Sequence, residues 1–211
     1  IETYDLSEAR FNHRLVDYFL EHEATAVAEL FEVVITGEDE VAIVYVNERV
    51  ASVLSPSERQ VYWKGLAKLR VERHDLNEGI KLSRTATKRL VDARDARVLT
   101  QAAKAAVAFV VPDGNVGLLY VDGEITDTLS AGLHAFWNVA HSVHVGVADL
   151  RIKPLDVQGQ EILTKDKVVL RVNVTASYQY VDAAKALRAI KDPLDQLYKE
   201  IQFGLRAAVG T

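Results

Sequence analysis

His141 and His144 are the pair whose type and spacing first suggest chemistry, because imidazoles three apart on a helix could hold one metal ion. The valines around them argue otherwise. Val143, Val145 and Val147 share one parity, the pattern of a half-buried strand. A strand sends His141 and His144 to opposite faces, so they cannot chelate one ion from it. His134 adds a third imidazole, but no cysteine or carboxylate framework accompanies it, and no metal site is expected. Asp113-Gly114-Asn115-Val116-Gly117 is glycine-rich, yet it lacks dinucleotide-loop or phosphate-loop spacing and the helix that should follow; it reads as a turn. There is no Gly-x-Ser-x-Gly, no His-Glu-x-x-His and no serine with an identifiable base. Neither catalytic residues nor a cofactor is expected.

The chemistry left is that of contact. Tyr62-Trp63 and Phe136-Trp137 are aromatic pairs, the second inside a charge-free run. They suit contact with lipid head groups or a neighbouring protomer, since tryptophan favours such boundaries; the plainer reading makes both tryptophans core plugs. A second group is basic. Lys81, Arg84, Lys88, Arg89, Arg94, Arg97 and Lys104 stand against Asp92 and Asp95, whereas the matching stretch nearer the N-terminus carries Glu21, Glu23 and Glu29. Opposite signs on equivalent faces suit head-to-tail stacking of units; the plainer reading is solvated helix faces.

The elements that must position these residues are written twice. Arg14-Leu15-Val16-Asp17 returns as Arg89-Leu90-Val91-Asp92, Tyr45-Val46 as Tyr120-Val121, and Leu54-Ser55 as Leu129-Ser130, each 75 residues on. At an offset of 74, Trp63, Val71 and Asp75-Leu76 return as Trp137, Val145 and Asp149-Leu150. A fixed period marks a structural unit. Each unit reads as a helix (14–30, then 88–108) followed by a four-stranded antiparallel meander. Its hairpins turn at Asn47-Glu48 and Asp122-Gly123. Residues 1–75 and 76–150 are thus read as two repeat modules, with residues 1–6 the tail of an earlier, truncated copy. Residues 151–211 no longer repeat. There, Val168–Tyr180 reads as a long strand with Val172, Val174, Ala176 and Tyr178 on one face. Asp182 caps a helix from Ala183, and Asp192-Pro193 opens another with a stripe of Leu194, Leu197, Ile201 and Leu205. The fold class is α+β, tandem modules leading into an antiparallel sheet with C-terminal helices.

Charge narrows the function. Residues 1–75 hold 15 acids and 8 bases, residues 76–150 hold 8 and 7, and residues 151–211 hold 7 and 10. The net charge of −5 argues against a general nucleic-acid binder, while the basic last third could face an anionic lipid surface. The missing initiator methionine reads as an excised or trimmed chain. Thr128–Ala148 lacks Asp, Glu, Lys and Arg, but it carries three histidines, and its counterpart carries seven charges. It is therefore not read as membrane-spanning, and the segment is expected to be soluble.

Gly132-Leu133-His134, Asp149-Leu150-Arg151, Leu155-Asp156-Val157, Gln160-Glu161-Ile162-Leu163-Thr164-Lys165-Asp166 and Leu205-Arg206 with Val209-Gly210 carry a resemblance. Residues 109–211 resemble the SPFH domain, also called band 7 or prohibitin-homology, in its stomatin/slipin branch. Ala183 stands where that family usually has proline, and the family's membrane-inserting segment and long coiled-coil helix have no counterpart here. The resemblance implies a membrane-associated, non-catalytic scaffold that forms homo-oligomers and works beside an NfeD-type membrane protease. It also implies an anchor outside this segment and a place on the cytoplasmic side of a bacterial membrane. The runner-up is a soluble adaptor regulating a membrane protease or chaperone.

Overall fold

The computed structural model describes Tyr4, residues 8–164 and residues 166–209. The tail expected at residues 1–6 therefore lies outside the described residues, Tyr4 excepted. The chain forms two compact units. One holds residues up to Phe109 together with Leu133–Val143, the other Val110–Gly132 together with the chain from His144. The domain boundaries expected near 75 and 150 do not coincide with this division, because the helices after residue 83 pack on the strands before residue 76.

Unit 1 begins with β1 (Arg10–Phe11), α1 (Val16–His22), α2 (Ala24–Leu30), β2 (Phe31–Ile35), β3 (Glu40–Val46), β4 (Arg49–Leu54), β5 (Arg59–Trp63) and β6 (Leu69–Asp75). These strands make two small sheets, ordered β1-β5-β2 and β4-β3-β6, rather than one four-stranded meander. The run Val41-Ala42-Ile43-Val44-Tyr45 explains why β3 is central. It is apolar at every position, so both faces need cover. Ala42 and Val44 pack with Val34, Leu54 and Tyr62. Val41, Ile43 and Tyr45 pack with Leu82, Leu90, Ala105, Ala135 and Trp137.

That second layer comes from α3 (Arg84–Val91), α4 (Ala96–Ala105), β7 (Ala106–Val111) and, after β8 (Asn115–Val121) and β9 (Glu124–Leu129), from β10 (Gly132–Trp137). One helix was expected over residues 88–108. Two are found, because Asp95 caps α4 by accepting from the Arg97 amide at 2.8 Å. From Ala106 the alanine-rich run is extended, as strand pairing with β10 overrides helix propensity.

β8 lies between β9 and β11 (Val143–Asp149), as β3 lies between β4 and β6. β3–β4 shifts register between Val44 and Tyr45, and β8–β9 between Leu119 and Tyr120, 75 residues on. The Trp63 amide donates to Ala9 O and the Trp137 amide to Ile80 O, both at 2.8 Å. The Leu76 amide donates to Asp39 O at 2.8 Å and the Leu150 amide to Gly114 O at 3.0 Å. The charge-free run 128–148 is thus the end of β9, β10 and most of β11. No described helix is long and apolar enough to cross a membrane.

Unit 2 continues with β12 (Lys153–Leu163) and β13 (Val169–Tyr178), an antiparallel ribbon with a bulge between Val157 and Gln160. There Gly159 takes a φ of +66° and its amide donates to the Asn173 side chain at 2.8 Å. α5 (Ala183–Ala189) is capped by Asp182, which accepts from the Lys185 amide at 2.9 Å. Its Ala183 and Ala184 pack with Leu118 and Ala148. α6 (Pro193–Val209) follows, with Leu197, Ile201 and Leu205 half-buried.

The β3–β4 turn holds both Asn47 and Glu48 at positive φ, +49° and +63°. The β8–β9 turn takes the same path with Asp122 at +51° and Gly123 at +89°. Glu48 is the strained member, since a side chain at the second position of this turn disfavours left-handed backbone. Its ion pair with Arg70, at 3.7 Å on the surface, offsets little. Glu48→Gly is expected to raise stability by about 0.5–1 kcal/mol, read as a higher denaturation midpoint at unchanged m-value.

Candidate functional site: aromatic pairs, a basic cleft and an aspartate corner

β5 and β10 place the two aromatic pairs, and alternation separates the partners of each pair to opposite faces. Tyr62 is 1% exposed, Phe136 0% and Trp137 1%. These three are packing residues, which corrects their reading as lipid or protomer contacts: no buried ring can present a surface. Tyr62 joins the Val34–Ala42–Leu54 core and shares a 2.5 Å hydrogen bond with the Ser52 hydroxyl, while burial pushes its phenol pKa up. Trp137 plugs the core against β3 and tilts on His74, ring centroids 5.3 Å apart. Trp63 alone keeps partial exposure, in a cluster with Phe31 (4.8 Å), Phe11 (5.0 Å) and Tyr4 (5.8 Å).

The basic residues divide. Arg84, Lys88 and Arg94 line a cleft in unit 1 with Arg89 and Arg49, opposed by Glu48, Asp92 and Asp95. The Ser83 hydroxyl, accepting from the Ala86 amide at 3.0 Å, starts α3 so that Arg84 and Lys88 lie one turn apart. The break at 92–95 turns Arg94 towards the same space. Arg49 enters from the β3–β4 hairpin, which no local spacing announces. Below the cleft the Arg89 guanidinium sits 5.1 Å from the Tyr45 ring centre, and Arg70 sits 3.7 Å from it. The Tyr45 hydroxyl donates to Glu72 at 2.9 Å, and burial followed by that bond raises its pKa. The other three members of the basic stretch lie elsewhere. Arg97 faces Glu8 and Asp95, each at 3.6 Å, Lys81 sits on a strand bridge opposite Phe136, and Lys104 is exposed on α4. Five cations against three acids, open to solvent, can hold an anionic group by charge; the cleft brings together no acid–base–nucleophile set.

The histidines are not brought together either. His141 lies in the bend before β11, a correction to its placement on the strand, while His144 is on β11 and His134 on β10. No group of three His, Cys, Asp or Glu suited to a metal occurs among the described residues.

The Asp-Leu motif is a corner. Asp75 Oδ1 accepts from the Asn77 amide at 2.8 Å, and Asp149 Oδ1 accepts from the Arg151 amide at 3.0 Å. At the second corner the Arg151 side chain adds Nε–Oδ1 at 2.9 Å, and Lys153 lies 3.2 Å from Oδ2. Arg151 also lies over Gly114, where an added Cβ would come within 3.3 Å of its Nε. This clamp turns the chain from β11 into the ribbon.

The SPFH domain / Band 7 family model matches residues 109–211. Over 101 residues the chain is 31% identical to an uncharacterized protein of Archaeoglobus fulgidus, a match covering 48% of this chain and 40% of that one. Over 64 residues it is 38% identical to a stomatin homolog of Pyrococcus horikoshii, covering 30% and 24%. Over 98 residues it is 29% identical to an uncharacterized protein of Methanocaldococcus jannaschii, covering 45% and 47%. The matches span less than half the length of each of these relatives.

Bonds from Arg151 hold the Asp149 carboxyl well below the usual carboxylate range. A depressed folded pKa means the clamp contributes fully above the unfolded value, about 3.9, and is lost only as pH falls through the lower folded value. Carbon-detected NMR titration is expected to show Asp149 charged below pH 3.9, with Arg151→Ala moving the midpoint up towards that value. An ordinary midpoint in the parent chain contradicts the clamp.

Proposed function

We propose, from the match of residues 109–211 to the SPFH domain / Band 7 family model, that this chain is part of a membrane-associated scaffold that holds copies of itself together and carries out no turnover. The observation that carries the self-association is the state of the C-terminal elements. β13 and α6 contain no fully buried residue, and Leu163, Val168, Val169 and Leu170 at the ribbon tip are 40–64% exposed. Phe203 on α6 is 61% exposed. A two-stranded ribbon is marginal alone, and a cluster of exposed apolar side chains marks a contact surface. A neighbouring copy that covers this ribbon and helix supplies what the ribbon lacks.

The membrane side of the reading rests on the family and on charge. We assign the Arg49–Arg84–Lys88–Arg89–Arg94 cleft to anionic lipid head groups, each cation contributing about 1 kcal/mol near such a surface. An NfeD-type membrane protease is the client that the stomatin-like resemblance proposes. Residues 10–149 are read as two copies of one module, on the shared strand order, register shift and hydrogen bonds.

Two measurements test this. Sedimentation velocity over rising concentration is expected to show self-association that Leu170→Asp or Phe203→Asp shifts towards monomer by about tenfold in concentration, the cost of charging an apolar contact. A parent chain that stays monomeric throughout rejects it. Flotation with vesicles is expected only when they contain anionic lipid, and Arg84→Glu with Lys88→Glu should weaken it by about tenfold or more. Equal flotation with neutral vesicles removes the lipid assignment.

A further inference from the structure

Equivalent apolar positions in the two modules are covered unequally. Leu90 is 6% exposed, whereas Leu15, in the same Arg-Leu-Val-Asp run, is 46% exposed. Ala105 is 0% exposed, and Leu30, 75 residues before it, is 51% exposed. Trp137 is buried while Trp63 is partly open. As a result α3 and α4 bury side chains, and α1 and α2 bury none. What covers the second set is the face of β3 that carries Val41, Ile43 and Tyr45.

The geometry points to the matching cover on the first set. His74, on the β6 edge of that covering sheet, stands 5.3 Å from Trp137. Tyr4 stands 5.8 Å from Trp63. In sequence, Tyr4-Asp5-Leu6 aligns with His74-Asp75-Leu76. We propose that the face formed by Leu15, Leu30, Phe31 and Trp63 is a docking surface for a further copy of the module, seated by its β3-type sheet face as residues 41–45 are seated on Leu90 and Trp137. This rests on the two-module reading above and on nothing about membranes.

A second copy of this chain does not fit as the occupant, because both of its sheet faces of this kind are in use. One is covered by α3, α4 and β10; the other, with Leu118, Val116 and Tyr120, is covered by Ala183 and Ala184 of α5. Modules of this design therefore add in one direction, each laying its helices and aromatic strand on the sheet before it. The contact is apolar, so its strength does not fall with salt as an ion-paired stack would.

The chain contains no cysteine, so single cysteines report cover. Leu15→Cys and Leu30→Cys are compared with Leu90→Cys and Val98→Cys by maleimide labelling. The set is made in the 211-residue chain and again in a chain with residues 8–77 inserted in tandem before Glu8. In the 211-residue chain the first two should label at least about tenfold faster than the last two, as expected when reaction at a covered site must await opening. In the tandem chain, labelling of the original Leu15→Cys and Leu30→Cys should slow by about tenfold or more, at low and high salt alike. Limited proteolysis reads whether the inserted copy is folded. Fast labelling beside a folded insert overturns the proposal, as does digestion of the insert back to the 211-residue chain. Slow labelling of Leu15→Cys in the 211-residue chain, whether at all concentrations or only at high ones, assigns another cover and also overturns it. None of these outcomes alters vesicle flotation or association through the ribbon, so a failure here is separable from a failure of the scaffold reading.

Discussion

Val41 to Tyr45 are all 0% exposed, and a strand in that state must have an apolar layer against each face. Burying such side chains is worth about 1.5–3 kcal/mol apiece, so leaving the face of Val41, Ile43 and Tyr45 wet would cost an amount comparable with a small domain's whole margin of stability. The first face is covered by β2 and β5, which flank it in sequence. The second is covered by residues that come later, in α3, α4 and β10. This is why the unit does not end at residue 76, and why the chain returns to it at Leu133 after the β8–β9 hairpin. β8 carries the same demand in weaker form, answered by α5.

The surfaces available for function follow from that arrangement. Packing α3 and α4 over β3 puts their cationic side chains beside the hairpin arginine and produces the cleft, while Arg70 and Arg89 lie over the buried Tyr45 ring. Packing also removes Phe136 and Trp137 from any surface. What the described residues then offer outward includes a basic cleft, a partly exposed aromatic cluster around Trp63 and an apolar ribbon with its helix. These are the surfaces on which the scaffold proposal draws, and the SPFH domain / Band 7 family model matches residues 109–211, which include the ribbon and its helix.

Much of this was legible in the chain before any coordinates. The hairpins at Asn47-Glu48 and Asp122-Gly123, the strands that flank them and the cap at Asp182 depend on a few adjacent residues, and local sequence decides such features directly. The α+β class and the long alternating strand followed from periodicity. Tertiary contact alone decided the rest. Ala106–Val111 and Phe31–Ile35 became strands because β10 and β5 were there to pair with them, which no propensity could reveal. Tyr62-Trp63 and Phe136-Trp137 look alike in sequence, yet the two tryptophans differ in exposure because one has a sheet laid against it. Arg49 and Arg84 are 35 residues apart and meet only because a helix pair closes over β3. Sequence settles what each short stretch can become, since those energies are local. Which face is covered, and so which residues are left to act, is set by the demand of a distant strand for a second apolar layer.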